Sequence, residues 1–344
     1  MLKPLYIGPY QLSSNLLLAP MAGLTDRPYR DVCRSFGAGL TTSEMLASDT
    51  SLWKSNKSST RLISKDEAEP RCAQIVGTDP YIMAEAAKRC ADQGVQILDI
   101  NMGCPAKKVC NKAAGSALMQ YPERVEDILS SVVSAVELPI TLKIRTGWSN
   151  KNKNALEIAH IAEESGIVAL SIHGRSREEG FMGHAEYETI RAVKQQSKIP
   201  IIANGDIITM QDAVFILKYT QVDGLLLGRI TKGRPWIFEE MNHYLSTNEV
   251  KKPLSKNKQI KTAIEHISTI HRHYKSALRV KVARKHIACY LNTMSTQLTV
   301  RKDILRDIFT AKTPFEQLEK FSQALKGLPN FPKTRDSITK VVIL

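Results

Sequence analysis

"RCAQIVGTDPYIMAEAAKRCADQGVQILDINMG", Arg71 to Gly103, reads as one complete strand–helix–strand unit. "RCAQIVG" (71–77) is strand-length and nearly all apolar, as a strand buried on both faces has to be. Asp79–Pro80 then signals a helix start, the apolar positions of "YIMAEAAKRC" fall at helical spacing, and Gly94 signals the stop. "ILDINMG" (97–103) is the next strand. Working outward, the same kind of apolar run recurs at "NLLLAPM" (15–21), "GLTTSE" (39–44), "ITLKIR" (140–145), "ALSIHG" (169–174), "PIIANGD" (200–206) and "GLLLGR" (224–229). Helix-like stretches such as "NALEIAHIAEESG" and "TMQDAVFILKYT" lie between them. Strand and helix alternating eight times predict an α/β protein built as a (β/α)8 TIM barrel. A doubly wound open sheet is the competing arrangement. The chain has eight strands and no GxGxxG turn after the first, which favours the barrel.

Past residue 250 the pattern changes. "EVKKPLSKNK" is a polar, basic linker, and "IKTAIEHISTIHRHYKSAL", "KVARKHIACYLNTM", "VRKDILRDIFTA" and "PFEQLEKFSQALKGL" carry helical periodicity only. The expected organisation is a barrel over 1–245, a linker over 246–256, a small all-α helical bundle over 257–328, and a tail over 329–344 without clear periodicity. Charge separates along the same line. Residues 251–344 hold 20 Lys and Arg against 6 Asp and Glu, while residues 1–250 hold 28 of each. The whole net charge of +14 therefore belongs to the last 94 residues, and it points to a polyanionic partner such as a nucleic acid. No run approaches the roughly 18 apolar residues of a membrane span, and the first residues lack the apolar stretch of a signal peptide. Six unclustered cysteines do not make a disulfide framework. A cytoplasmic protein with reduced thiols is expected, and a monomer is favoured.

Barrel chemistry sits at the C-terminal ends of the strands. Those ends bring Gln74, Asn101, Cys104, Lys143, Arg145, His173, Arg175, Asn204, Asp206 and Arg229 to one rim. No carboxylate pair suited to glycoside hydrolysis and no Ser-His-Asp set is evident. The loops after strands 7 and 8 commonly hold phosphate in this fold. Here they read "ANGDI" and "LGRITKG", where Gly205 and Gly228 permit close backbone approach and Arg229 offers a forked donor. Lys143 can face an electron-rich ring atom, and Gln74 can serve a ring edge that both donates and accepts. Flavin mononucleotide (FMN) meets these demands. Taken singly, Gln74 reads equally well as a core amide, His173 as a buried imidazole and Gly205 as a turn glycine. In "DINMGCPAKKVCNKAAG" (99–115), Cys104 directly follows a strand. Cys110 stands five intervening residues on, too far for the usual zinc or CxxC spacing, so it reads as a packing residue and no metal site is expected.

"LAPMAGLTDRPYR", "DINMGCPAKKV", "LKIRTGW", "IHGRSR", "ANGDI" and "GRITKGRPWIF" resemble the motifs of the tRNA-dihydrouridine synthase family. "GCPAKKVCNKAAGSALM" and "ARKHIACYL" are most similar to its bacterial B-type branch. The resemblance covers roughly residues 5–325. It implies an FMN-dependent barrel, a helical tRNA-recognition domain, and NADPH-driven reduction of specific uridines in tRNA. It further implies that Pro20, Met21 and Ala22 line the flavin and that Gln74 and Lys143 contact its ring. Asn204, Gly205, Asp206, Gly228 and Arg229 would hold its phosphate, with His173 nearby. Cys104 matches the family's proton donor, which would protonate uracil C5 after hydride reaches C6 from reduced flavin. Asn101, Arg145, Arg175 and Arg177 are candidate contacts to an extruded uridine or its flanking phosphate, and Arg284 and Lys285 to the RNA backbone. An FMN barrel acting on a free pyrimidine would share the flavin logic but leaves the charge asymmetry unexplained. A non-catalytic RNA-binding scaffold predicts damaged cofactor residues, whereas Gln74, Cys104, Lys143 and Arg229 are all present. Deletion of residues 251–344 is expected to abolish tRNA binding while flavin is retained. Unchanged, steeply salt-dependent tRNA affinity after that deletion would contradict the assignment.

Overall fold

A computed structural model describes residues 3–295 and 302–328. The expected tail over 329–344 lies outside the described residues. The chain divides into two compact units. One runs to Thr231 and resumes over Pro235–Lys251; the other comprises Lys232–Arg234 and the chain from Lys252 on.

The first unit opens with a hairpin, β1 (Tyr6–Ile7) and β2 (Tyr10–Gln11). The barrel follows: β3 (Leu16–Leu18), α1 (Arg27–Ser35), β4 (Leu40–Thr41), β5 (Leu46–Ala47), α2 (Asn56–Ser59), β6 (Cys72–Val76), α3 (Pro80–Asp92) and β7 (Ile97–Met102). After these come α4 (Lys107–Cys110), α5 (Pro122–Ala135), β8 (Ile140–Arg145), α6 (Ala155–Glu164), β9 (Ala169–His173), α7 (Glu188–Gln196), β10 (Ile201–Asn204), α8 (Met210–Thr220), β11 (Gly224–Leu227) and α9 (Ile237–Thr247). The strands pair in parallel in the order β4-β3-β11-β10-β9-β8-β7-β6-β5. A parallel bridge from Thr42 to Cys72 carries the ring from β4 to β6, so the (β/α)8 arrangement is present.

The opening stretch folds as its residues dictate. Asp79 accepts the Ile82 N–H as N-cap of α3, Pro80 takes the first turn, and Met83, Ala86, Ala87 and Cys90 turn inward. Gly94 then adopts φ +85° and ends the helix. The second strand departs from expectation. The continuous run over 39–44 is instead two short pieces, Leu40–Thr41 paired to β3 and Leu46–Ala47 paired to β6. Glu44 supplies the reason. Its buried carboxylate accepts the Gly23 N–H at 2.6 Å and pairs with Arg61 at 3.0 Å, while Arg61 also donates to the Met45 carbonyl. A buried charge must be partnered, and here the partners draw the backbone off the strand path.

Two apolar clusters flank the strands. The larger lies between strands and helices. The smaller takes Leu17, Leu40, Cys72, Ile97, Ala169, Ile202 and Leu226 from seven strands or their starts and adds Leu5, Ile7 and Leu12 from the hairpin segment. Gly8 (φ +56°) passes so close to Pro139, at the start of β8, that a Cβ would lie 2.7 Å from the proline Cβ. The hairpin thus plugs the barrel at the N-terminal ends of its strands, which leaves the C-terminal ends as the open face.

The second unit contains α10 (Lys256–His273), α11 (Leu278–Met294), α12 (Lys302–Thr310) and α13 (Pro314–Lys326). Ala263, Ile267, Ile270, Ala283, Ile287, Leu291, Phe321 and Leu325 are buried in it. Gln317 is fully buried among them, bonding His271 at 2.9 Å and donating to the Val280 carbonyl at 3.2 Å. Among the described residues no helix is long and apolar enough to cross a membrane.

One ion pair of the barrel unit is almost wholly removed from water: Arg30 with Glu67, at 2% and 6% side-chain exposure. Arg30 also donates to the Thr25 carbonyl. Glu67→Ala is expected to cost about 3–5 kcal/mol, because it strands a buried guanidinium. Urea unfolding checks this, and a loss below about 1 kcal/mol, the scale of an exposed pair, would show that water reaches Arg30.

Candidate active site at the C-terminal face of the barrel

The open face is built from two polar networks. The first ties β6, β7 and β8 together and runs up to the C-terminal end of β7. Thr141 donates to Asp99 at 2.6 Å, and the Gln74 amide donates to the other Asp99 oxygen at 2.7 Å. Asn101 donates to the Gln74 carbonyl oxygen at 2.8 Å, and its own oxygen accepts the N–H groups of Gly103 (3.2 Å) and Cys104 (3.0 Å). Each amide orientation is thereby set by its neighbour. Burial pushes the Asp99 carboxyl up to about 6, against the pull of Thr141 and Gln74.

The network ends on Cys104. Its carbonyl accepts from the Ser116 hydroxyl (2.9 Å), the Ser116 N–H (3.2 Å) and the Cys110 thiol (3.5 Å). Gly115, at φ +61°, lets the returning chain lie against this carbonyl, where a Cβ would sit 2.9 Å away. Cys110 and Ser116 therefore brace the turn that presents Cys104. The half-buried Cys104 thiol is pushed up by burial, with smaller opposing pulls from Arg145 and Lys143. Lys143 donates to Asn204 at 3.3 Å, and burial followed by repulsion from Arg145 brings its ammonium down to about 8.

The second network joins the ends of β9, β10 and β11. Asp206, at φ +43°, accepts from both terminal nitrogens of Arg175 (3.0 and 2.6 Å), from Arg229 (2.8 Å) and from the Ala185 N–H (2.8 Å). Arg175 is 2% exposed and donates further to the Met182 and Gly183 carbonyls. His173 lies 3.4 Å from Arg175. Burial, then Lys143, Arg145, Arg175 and Arg229, hold its imidazole well below its usual range and hence neutral. Gly205 (φ +122°) packs on the His173 ring, where a Cβ would fall 3.0 Å from Cδ2. Four cations surround a neutral imidazole, and Asp206 is the carboxylate that pairs with two of them, Arg175 and Arg229, a surplus that suits an anionic group such as a phosphate. Arg229, with its side chain 27% exposed, still faces solvent.

The structure brings most of the expected residues to this face. Pro20, Met21 and Ala22 follow β3, and Gly228 lies against Ala19 and Met21. Several functions shift. Arg175, expected at RNA, donates within the protein to Asp206 and to the Met182 and Gly183 carbonyls, with His173 3.4 Å away. Arg145 is equally buried and donates to the carbonyls of Gly103, Ser176 and Gly180. Asp206 partners two arginines, and a carboxylate gives no direct hold on phosphate. Arg177 stacks on Trp148, with its guanidinium carbon 4.4 Å from the ring centroid. Arg284 and Lys285 lie on α11 of the second unit, Lys285 exposed. Ser116, Thr231 and Phe181 carried no expectation from sequence. Thr231 is fully buried and accepts from the Tyr29 hydroxyl, which pins the turn that follows Arg229. The downstream glycine-serine pair was a signal for the Cys104 brace and Thr231 lies inside "GRITKG", whereas no motif marks Phe181.

Comparison with known proteins agrees with this geometry. The chain is 49% identical over 324 residues to tRNA-dihydrouridine synthase B of Pseudomonas syringae pv. tomato, covering 94% of this chain and 96% of that one. It is 50% identical to the synthase B of Pectobacterium carotovorum, covering 94% and 100%. Among solved structures, 6-hydroxypseudooxynicotine amine oxidase from Pseudomonas geniculata N1 superimposes with a TM-score of 0.54 at 12% identity, covering 71% of this chain and 49% of that one. Histamine dehydrogenase from Rhizobium sp. 4-9 gives 0.51 at 11%, covering 96% and 65%. These two likenesses concern the fold alone. The family described as Dihydrouridine synthase (Dus) matches residues 17–326, and with this match, the half-identical relatives and the barrel rim in view, the chain belongs to the dihydrouridine synthase family.

Proposed function

We propose that this protein is a tRNA-dihydrouridine synthase that uses FMN and NADPH to reduce specific uridines of tRNA, acting in the cytoplasm. The observation that carries the reading is a thiol kept protonated by burial, held on a braced turn beside two buried cations. FMN held at this face would supply, once reduced by NADPH, the hydride for uracil C6. Cys104 supplies the proton for C5. A thiol held above its usual range stays protonated at neutral pH and so is available as an acid. When it gives the proton up, Lys143 and Arg145 stabilise the thiolate.

The cofactor roles follow from the same geometry. His173, Gly205, Gly228 and Arg229 are suited to the phosphate, with Asp206 and Arg175 positioning Arg229. Gln74 and Lys143 are suited to the polar edge of the flavin, with Asn204 orienting Lys143. Asn101 fixes both Gln74 and the turn of Cys104. The basic helical unit gives the RNA its long-range attraction, through residues such as Lys285.

Cys104→Ala is expected to slow uridine reduction about 10²–10⁴-fold while flavin reduction by NADPH is unchanged. Single-turnover oxidation of the reduced enzyme by unmodified tRNA, with dihydrouridine counted by mass spectrometry, reads the two halves apart. Near-normal product from the variant would remove Cys104 as the acid.

Asp99 gives a pH signature. Its folded-state pKa of about 6 lies above the ordinary 3.8, so between these values the native protein holds a proton that the unfolded chain has released. Its contribution to stability is therefore present below about pH 4 and lost as pH rises through about 6. Asp99→Asn is expected to flatten the pH dependence of the urea midpoint across that interval. Identical slopes for the two proteins would show that Asp99 titrates normally.

A further inference from the structure

The loop from Ser176 to Glu186 crosses the open face and is held down along its length. Arg145 donates to the carbonyls of Ser176 and Gly180, and Arg175 to those of Met182 and Gly183. The Ala185 N–H donates to Asp206, and the Arg177 and Glu178 N–H groups donate to the Gly147 and Trp148 carbonyls. A turn closed by Ser176 and Glu179 stiffens its start. Gly180 (φ +58°) and Gly183 (φ +61°) fold the tip, and a Cβ at either would meet nothing within 4 Å. The tip between them therefore stands in the open.

That tip is apolar in cationic surroundings. Phe181 is 60% exposed and Met182 78% exposed. The Phe181 ring lies 5.5 Å from the guanidinium carbon of Arg145, 5.6 Å from that of Arg229, and 6.1 Å from the centroid of His173. The cations hold the ring in place, and most of its surface stays exposed. Two buried arginines thus hold rigid a loop whose end is a large uncovered aromatic surface. A cofactor seated within the barrel leaves an outward-facing tip uncovered, whereas an incoming macromolecule covers it.

We infer that Phe181 is the stacking platform for a base of the RNA drawn out of its own stack at the barrel mouth, with Met182 beside it. The inference rests on the proposed function for the identity of the partner. Extrusion of a nucleotide forfeits stacking. An aromatic face held in place restores part of it without reading the base. Arg177 in the same loop, partly exposed and stacked on Trp148, suits an accompanying phosphate, which distinguishes this occupant from an apolar peptide.

The test is equilibrium binding of the flavin-loaded protein to an unmodified tRNA transcript, read without turnover. Phe181→Ala is expected to weaken binding by roughly tenfold, the scale of one base–aromatic stack. Phe181→Tyr should bind within about twofold of the parent and Phe181→Leu close to the alanine variant, since a planar face is what stacks. Flavin content and thermal midpoint should match the parent in the tyrosine and leucine variants, so a poorly folding alanine variant does not decide the matter. Unchanged affinity in Phe181→Leu would overturn the inference. So would weakening accompanied by loss of flavin, which would place the ring in the cofactor pocket. Binding that depends on Phe181 in a parent protein that forms no dihydrouridine would sink the proposed function and leave the platform standing.

Discussion

The Asp206 carboxylate is the constraint on which the open face depends. It sits between Arg175 and Arg229 and also takes the Ala185 N–H, so one side chain joins the ends of β9, β10 and β11. Its environment holds the carboxyl below its ordinary value despite burial, through Arg175 foremost. Without this anion, Arg175 and Arg229 would repel each other near a buried imidazole. With it, both guanidinium planes are oriented, and Arg175 is free to spend its remaining donors on the backbone of the 176–186 loop. The left-handed backbone of Asp206 itself, at φ +43°, turns the carboxylate back under the arginines. A non-glycine residue there is uncommon and is retained where the side chain has work to do.

The opposite side of the rim solves a different problem, with amides and a hydroxyl arranged around one buried carboxyl. Thr141, Asp99, Gln74, Asn101 and the Cys104 turn form a chain in which every amide has one orientation compatible with its partners. Amide chains cost less to bury than charges when fully satisfied. They also leave the thiol in surroundings that favour its neutral form. The two networks meet where Lys143 reaches Asn204. The rim is thus cationic from the end of β8 round to β11, where Lys143, Arg145, Arg175 and Arg229 lie, and lined by amides at β6 and β7, which matches a ligand with a charged tail and a polar, uncharged ring.

Much of this was legible in the sequence, and the limits are physical. Strands buried on both faces write long apolar runs, and helix 80–92 carries a cap, a proline and a terminating glycine, so residues 71–103 read directly. The interrupted second strand did not, because Glu44 leaves the strand path to reach Gly23 and Arg61, partners remote in sequence. The plugging hairpin has two-residue strands, too short for any periodicity. At the site, strand-end placement gathered residues that the structure brings to the open face, but residue type alone does not separate a guanidinium facing solvent from one facing protein. Arg175 and Arg229 look alike in the motifs, and only the loop geometry makes one scaffold and the other accessible. Phe181 escaped notice because an aromatic in a glycine-flanked loop has no pattern to betray it.

The distribution of charge gives the last constraint. The first 250 residues are neutral in sum, yet their open face gathers four cations, so the neutrality is a balance of acids elsewhere on the barrel unit. A neutral body exerts little attraction beyond a Debye length, about 8 Å at physiological salt. Its buried cations act at contact, where screening is weak. Residues 251–344, with the entire net charge, set the field at a distance. Long-range charge and rim cations therefore lie in different parts of the chain. Salt should weaken the encounter with RNA far more than it weakens the grip of the rim on a nucleotide already seated there.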